Sequence, residues 1–181
     1  MSAPDLGPDL LIEELMLLTS QNLEKIKISD RYHVVRNLGS GTFGQVQLVT
    51  HRHRGTNMAL KLMRKGKTTK RSFLREYSLS LYLCSNPLFV NIFGIAFHTD
   101  DYYGFIQEFA PIGDLYTLIK PQVGIGEMAA KRCALQLSLA LQYLHSRALV
   151  HRDVKLENVL VFEGECRRVK LSDFGLRSEE H

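Results

Sequence analysis

The sequence predicts an α+β fold built from two unlike lobes. Short apolar runs with two-residue alternation crowd residues 32–108 around a single helical stretch. Pro111-Ile112-Gly113 then breaks the pattern. Beyond it, the dominant feature is one 3.6-residue periodicity over 127–146. The expected architecture is a five-stranded antiparallel sheet with one main helix, followed by a mostly helical part. The expected segments are 1–31, an extension with an amphipathic helix; 32–110, the sheet lobe; and 111–181, the helical lobe.

The elements follow in chain order. Residues 1–8 hold Pro4 and Pro8 and read as a loose end. From Asp9 to about Lys27, Leu10, Leu11, Leu15, Leu18 and Leu23 recur at near-helical spacing. The apolar side of that helix is expected to pack on the domain that follows, with docking of a partner as the second reading. Strands are expected over 32–38, 44–50 and 56–63, with Gly55 turning the last two. Lys70 to Leu83 carries Phe73, Leu74, Tyr77 and Leu81 and reads as a helix ended by Asn86-Pro87. Two strands, 92–98 and 102–108, are joined through Asp100-Asp101. Past the break come a short helix at 114–120, the long helix 127–146, a loop 150–158, and small strands at 159–162 and 169–171.

Composition narrows the class. The chain has 181 residues, 45% hydrophobic and 23% charged, enough to bury a core. Net charge is +4, concentrated between Arg52 and Arg75, where no acid occurs before Glu76. That is a solvated basic loop plus one buried lysine rather than a nucleic-acid footprint, so nucleic acid is not an expected partner. Cys84, Cys133 and Cys166 are odd in number and far apart, which supports neither a disulfide framework nor a zinc site. No run of about 18 apolar residues exists to span a membrane. The expected location is cytoplasmic, with nuclear entry open.

Four motifs carry chemistry. Gly39-Ser40-Gly41-Thr42-Phe43-Gly44 follows a strand and precedes another strand, unlike the dinucleotide fingerprint, which opens a helix. Glycines without Cβ let backbone N–H groups approach phosphate oxygens; a tight hairpin explains the same residues equally well. Met58-Ala59-Leu60-Lys61 puts a lysine mid-strand, on the face opposite Leu60 and Leu62. A buried lysine needs an anion. Glu76, the only acid of its helix, is one candidate and a phosphate the other. His151-Arg152-Asp153-Val154-Lys155-Leu156-Glu157-Asn158 and Asp173-Phe174-Gly175 complete the set. Asp153 can accept a hydroxyl proton, and Lys155 can meet phosphoryl oxygens as a point charge. Asn158 and Asp173 offer the hard oxygen ligands that magnesium prefers.

In this order, the four motifs resemble the ATP site of eukaryotic protein kinases, and 32–176 is similar to a kinase domain. The Asp153-x-Lys155 spacing resembles the serine/threonine class. Thr50-His51-Arg52-His53-Arg54-Gly55-Thr56, Ser72-Phe73-Leu74-Arg75-Glu76-Tyr77, Pro121-Gln122-Val123-Gly124 and 165–171 resemble the SH3-binding-domain kinase family, as does 18–23. The resemblance implies a protein-kinase-like fold with ATP and Mg2+ as cofactors. It also implies a protein substrate bearing a Ser or Thr acceptor. Asp153, Lys155, Lys61 and Glu76 would be catalytic. Leu38, Gly39, Ser40, Gly41, Thr42, Phe43, Gly44 and Val46 would cover the nucleotide. Ala59 and Leu160 would roof and floor the adenine, Gln107 would stand at the back of its pocket, and the backbones of Glu108 and Ala110 would bond its edge. Asp114 would take a ribose hydroxyl, and Asn158 and Asp173 would hold metal.

Two departures stand out. Leu156 replaces a usual Pro, and Ser80 is polar where kinases stack an apolar residue, which weakens the expected link between helix and Phe174. The family also continues past Gly175 with an activation segment and further helices, so the helical lobe is expected to be incomplete and 114–181 marginal. Cys133, Leu137, Ala140, Leu141 and Leu144 are expected to lie uncovered, at a cost on the order of 6–12 kcal/mol for about four side chains. The expected function is ATP-dependent phosphorylation of Ser/Thr hydroxyls; the alternative is an impaired form that binds nucleotide or a partner without turnover.

Overall fold

The computed structural model describes residues 7–41, 44–119, 124–149 and 154–172. The chain begins with helix α1 (Pro8–Asn22), with proline in its first turn, where the missing N–H costs nothing. Ile12 and Met16, four residues apart, bury on one side. The helix ends at Asn22 rather than near Lys27, because the backbone turns extended at Leu23. Residues Glu24–Lys25 form strand β1, and the N–H of Ile26 donates to the His98 carbonyl.

A one-turn helix α2 (Ile28–Arg31) leads into β2 (Tyr32–Ser40), β3 (Gly44–His51) and β4 (Asn57–Arg64). Helix α3 (Lys70–Leu83) starts at Thr69, whose hydroxyl accepts from the N–H of Ser72 at 3.1 Å. Strands β5 (Ile92–His98) and β6 (Tyr102–Glu108) follow. The sheet has six strands in the order β1-β5-β6-β4-β3-β2, not the five expected. The added strand is β1, which pairs parallel with β5 through Glu24↔Phe97 and Lys25↔His98. A two-residue strand carries no alternation to read, so it escaped the sequence pattern.

Both faces of this sheet are covered. On one side, Met63 and Phe105 pack with α3, where Phe73 stacks on Tyr103 with centroids 5.1 Å apart. On the other, Tyr32, Val49, Leu60, Leu62, Phe97 and Ile106 form a second cluster sealed by Ile26 and Ile28.

The lower part holds β7 (Gly113–Asp114), α4 (Leu115–Leu118), α5 (Glu127–Ser146), β8 (Val159–Glu163) and β9 (Arg168–Leu171). Strands β7, β8 and β9 form a small sheet, so the expected helix at 114–120 shrinks to one turn. The face of α5 expected to lie wet does not. Cys133, Ala140 and Leu144 are buried, and Leu137 and Leu141 pack against the core. The β8–β9 hairpin covers this face, with the Gln136 amide donating to the Cys166 carbonyl at 2.8 Å and accepting from the Val169 N–H at 2.9 Å. The solvent-facing stripe is instead Met128, Leu135 and Leu139, the first two more than 60% exposed.

Candidate active site

The site begins with the lysine of β4. Its register, Val46↔Lys61↔Phe105, places Lys61 between the strand that leaves the glycine loop and the strand that runs to the connection between the lobes. Strand alternation sends Leu60 and Leu62 into the outer cluster and Lys61 toward α3. There its ammonium pairs with Glu76, and both side chains are buried. Lys61 also lies 6.0 Å from the Phe105 ring centroid. One charge removed from water is thereby matched by its opposite. Ser80, one turn on, is buried and donates to the Glu76 carbonyl at 2.8 Å, so its hydroxyl is satisfied inside the helix.

The glycine loop sits above. Gly39 and Gly41 have open space where a Cβ would stand, and the Gly41 N–H donates across the loop to the Gly44 carbonyl at 2.9 Å. Gly44 differs: a Cβ there would lie 1.9 Å from the Leu62 carbonyl oxygen. Its requirement for glycine is the close approach of β3 to β4. Asn37 braces the loop, donating to the Ser40 hydroxyl at 2.7 Å and accepting from the Gly39 N–H at 3.1 Å. Leu38 and Val46 are half-buried beside it. Thr42 and Phe43 lie outside the described residues.

Behind Lys61, a small cavity is lined by Glu76, Ser80, Gln107 and Ser172 among apolar neighbours. Gln107 is buried at the back, and Ala59 pairs with it across β4 and β6. Glu108 ends β6. Its N–H donates to the Asn91 carbonyl at 2.9 Å, its carboxylate accepts from the Asn91 N–H at 2.7 Å, and it pairs with Lys170 of β9. Ala110 is buried next in line. Leu160 pairs with both Asp114 and Lys170, which puts it under the connection between the lobes. The Asp114 carboxylate caps α4, accepting from the Thr117 N–H at 2.7 Å and hydroxyl at 3.0 Å.

Asn158 is buried, and its carbonyl accepts from the Ser172 N–H at 2.9 Å and hydroxyl at 3.1 Å. These bonds bring Asn158 to the residue that precedes Asp173. Lys155 is exposed, and the Asn158 N–H donates to its carbonyl at 3.0 Å. Asp153 and Asp173 lie outside the described residues. β9 meets the upper lobe directly: the Leu171 N–H donates to Leu88 at 2.9 Å, and Val90 returns a bond to Leu171 at 3.2 Å. Sequence reasoning missed Lys170, Asn91 and Asn37. The signal for Lys170 was present, a lone lysine between Val169 and Leu171 in a strand, the same signature as Lys61.

Comparison with known proteins agrees with this geometry. Residues 32–181 match the protein kinase domain family. The chain is 58% identical over 175 residues to serine/threonine-protein kinase SBK1 of Danio rerio, covering 97% of this chain and 45% of that protein. It is 44% identical over 164 residues to serine/threonine-protein kinase SBK2 of Homo sapiens, covering 91% of this chain and 47% of that protein. The chain thus spans about half the length of these relatives. Among solved structures, Rad53 1-466 in complex with AMP-PNP superposes with a TM-score of 0.72 at 28% identity, covering 90% of this chain and 42% of that one. A buried Lys–Glu pair under a glycine loop, with a family match over most of the chain, places it in the eukaryotic serine/threonine protein kinase family, in the branch that SBK1 and SBK2 represent.

Proposed function

We propose that this chain binds ATP with magnesium in the cleft between Lys61 and Asn158, and that its activity is transfer of the γ-phosphoryl group to Ser or Thr hydroxyls of proteins. The observation that carries the reading is the buried Lys61–Glu76 pair, whose lysine sits across from Val46, the register partner of Gly39 in the glycine loop. The residues present fit the cofactor: open space at the Cβ positions of Gly39 and Gly41, a buried lysine one strand over, and a buried Asn158 bonded to Ser172. Magnesium, when bound, neutralises charge on the phosphate oxygens. Asn158 and Asp173 are the residues to hold it. Lys61 orients the phosphates, Asp153 takes or orients the acceptor hydroxyl's proton, and Lys155 meets the transferring oxygens. Gln107, Ala59 and Leu160 enclose the base, with Glu108 and Ala110 presenting backbone groups to its edge.

The test is phosphoryl transfer from labelled ATP to a Ser/Thr-containing protein by the chain and by Asp153→Asn. Transfer that disappears in the variant supports the reading; equal labelling in both removes it. A second reading, nucleotide binding with little transfer, is favoured by the exposed apolar stripe Met128, Leu135 and Leu139 on α5. Saturable nucleotide binding without labelling selects it.

A further inference from the structure

Helix α3 is enclosed from two sides. Taking 100° per residue, Phe73, Glu76, Ser80 and Leu83 share the face toward the sheet. Leu74, Ser78 and Leu81 share the opposite face. Leu74 and Ser78 are nonetheless buried, Ser78 at 0% exposure. The cover is α1, which touches α3 over more of its length than β5 or β6 does. Ile12 and Met16 enter the same apolar cluster as Phe73, Leu74 and Tyr77. At the edge, Glu13 accepts from the Arg71 guanidinium at 2.8 Å. The chain then runs from α1 directly into β1 on the edge of β5, so the helix is tied to the sheet at its far end.

We infer that α1 is a positioning element for the catalytic ion pair: Ile12 and Met16 press α3 against the sheet, so that the Glu76 carboxylate stays on Lys61. The inference rests on the nucleotide-binding reading above, because Lys61 is the cation that meets the phosphates. Neither Ile12 nor Met16 touches the cleft, so both act only through α3. Docking of α1 and binding of nucleotide are then linked, and linkage is reciprocal. Nucleotide that engages Lys61 with its partner in place must strengthen the seat of α1, although the two lie on opposite sides of α3.

The experiment uses the whole chain. Calorimetry with Mg-ATP compares the wild type, the double variant Ile12→Ala/Met16→Ala, and the conservative pair Ile12→Val/Met16→Leu. All three are repeated in a Glu76→Gln background, where Lys61 remains but the ionic pair is gone. The alanine pair should weaken binding roughly fivefold or more, in the range typical of coupled sites. The conservative pair should restore most of the affinity, and in the Glu76→Gln background the loss should shrink to less than about twofold. In parallel, hydrogen exchange on the wild type should show the amides of α1 slowed by Mg-ATP, a readout that needs no variant to fold. No loss, an equal loss in both backgrounds, or α1 exchange indifferent to nucleotide overturns the inference while leaving the binding reading intact. A folded wild type that binds no nucleotide overturns both.

Discussion

At the scale of single residues, the structure depends on a few charges and hydroxyls held away from water. Lys61→Ala leaves the Glu76 carboxylate buried without its main cation, and we expect a loss of about 3–5 kcal/mol in urea denaturation. Replacing both partners with apolar residues, Lys61→Met with Glu76→Leu, should recover most of that loss, since the charge left unmatched by the single variant is removed as well. Ser78 is the opposite case. Its hydroxyl is buried without a hydrogen-bond partner among the described residues. Ser78→Ala removes that burden and raises helix propensity, so it should stabilise the chain by about 1 kcal/mol in the same assay. Lys61 and Glu76 were legible from sequence because alternation put the lysine on its own face and scarcity of acids left Glu76 as the one candidate carboxylate, beside a phosphate. Glu108–Lys170 was not, because its two members lie in different lobes, and only the fold brings β6 beside β9. Asn37 was missed for a different reason: the bonds it makes lie within the glycine loop and leave no mark on periodicity.

At the scale of elements, helix and strand bounds were readable wherever a full period was present. α3, α5, β5 and β6 lie where spacing put them. The failures were short or relational. β1 is two residues long, and α4 is one turn whose neighbours belong to a small sheet. The burial of α5 departs from what the family resemblance implies, because the β8–β9 hairpin folds back onto the face expected to lie uncovered. The glycine loop makes a sharper distinction at this scale than its sequence does. Gly44→Ala should separate β3 from β4 and cost roughly 1–3 kcal/mol, since backbone rather than a movable side chain blocks the new methyl. Gly41→Ala meets open space and should change stability by less than about 0.5 kcal/mol. Thermal unfolding of the two variants side by side checks the contrast.

At the scale of the whole molecule, the apolar cluster on the α3 side of the main sheet continues into the lower lobe through Leu115, Leu144, Val161 and Leu171, while the cluster on the other face stays within the upper lobe. The lobes are joined by Lys170–Glu108 and by the backbone bonds between Leu171 and residues 88–90. Two buried groups lower stability at alkaline pH. Burial pushes the Cys133 thiol up from 9.0 to about 11, with Cys166 beside it adding to the effect. Burial likewise raises the Tyr77 hydroxyl from 10.0 to about 12. Both groups stay protonated in the folded chain after they would ionise in the unfolded one. Their contribution is therefore complete below pH 9.0 and is lost as pH rises through about 11 and then about 12. Urea midpoints should fall across that window, and Cys133→Ala should flatten its lower half. The proposed function requires Lys61, Glu76, Asn158 and Asp173 to act together on one nucleotide and its metal. Calorimetry of the chain with ATP, with and without magnesium, tests it most directly. Saturable one-to-one binding that requires magnesium and weakens at least about tenfold in Asp173→Ala, the loss of one charged ligand, is the expected outcome; a folded chain that binds no nucleotide, or binds it equally without the metal, overturns the proposed function.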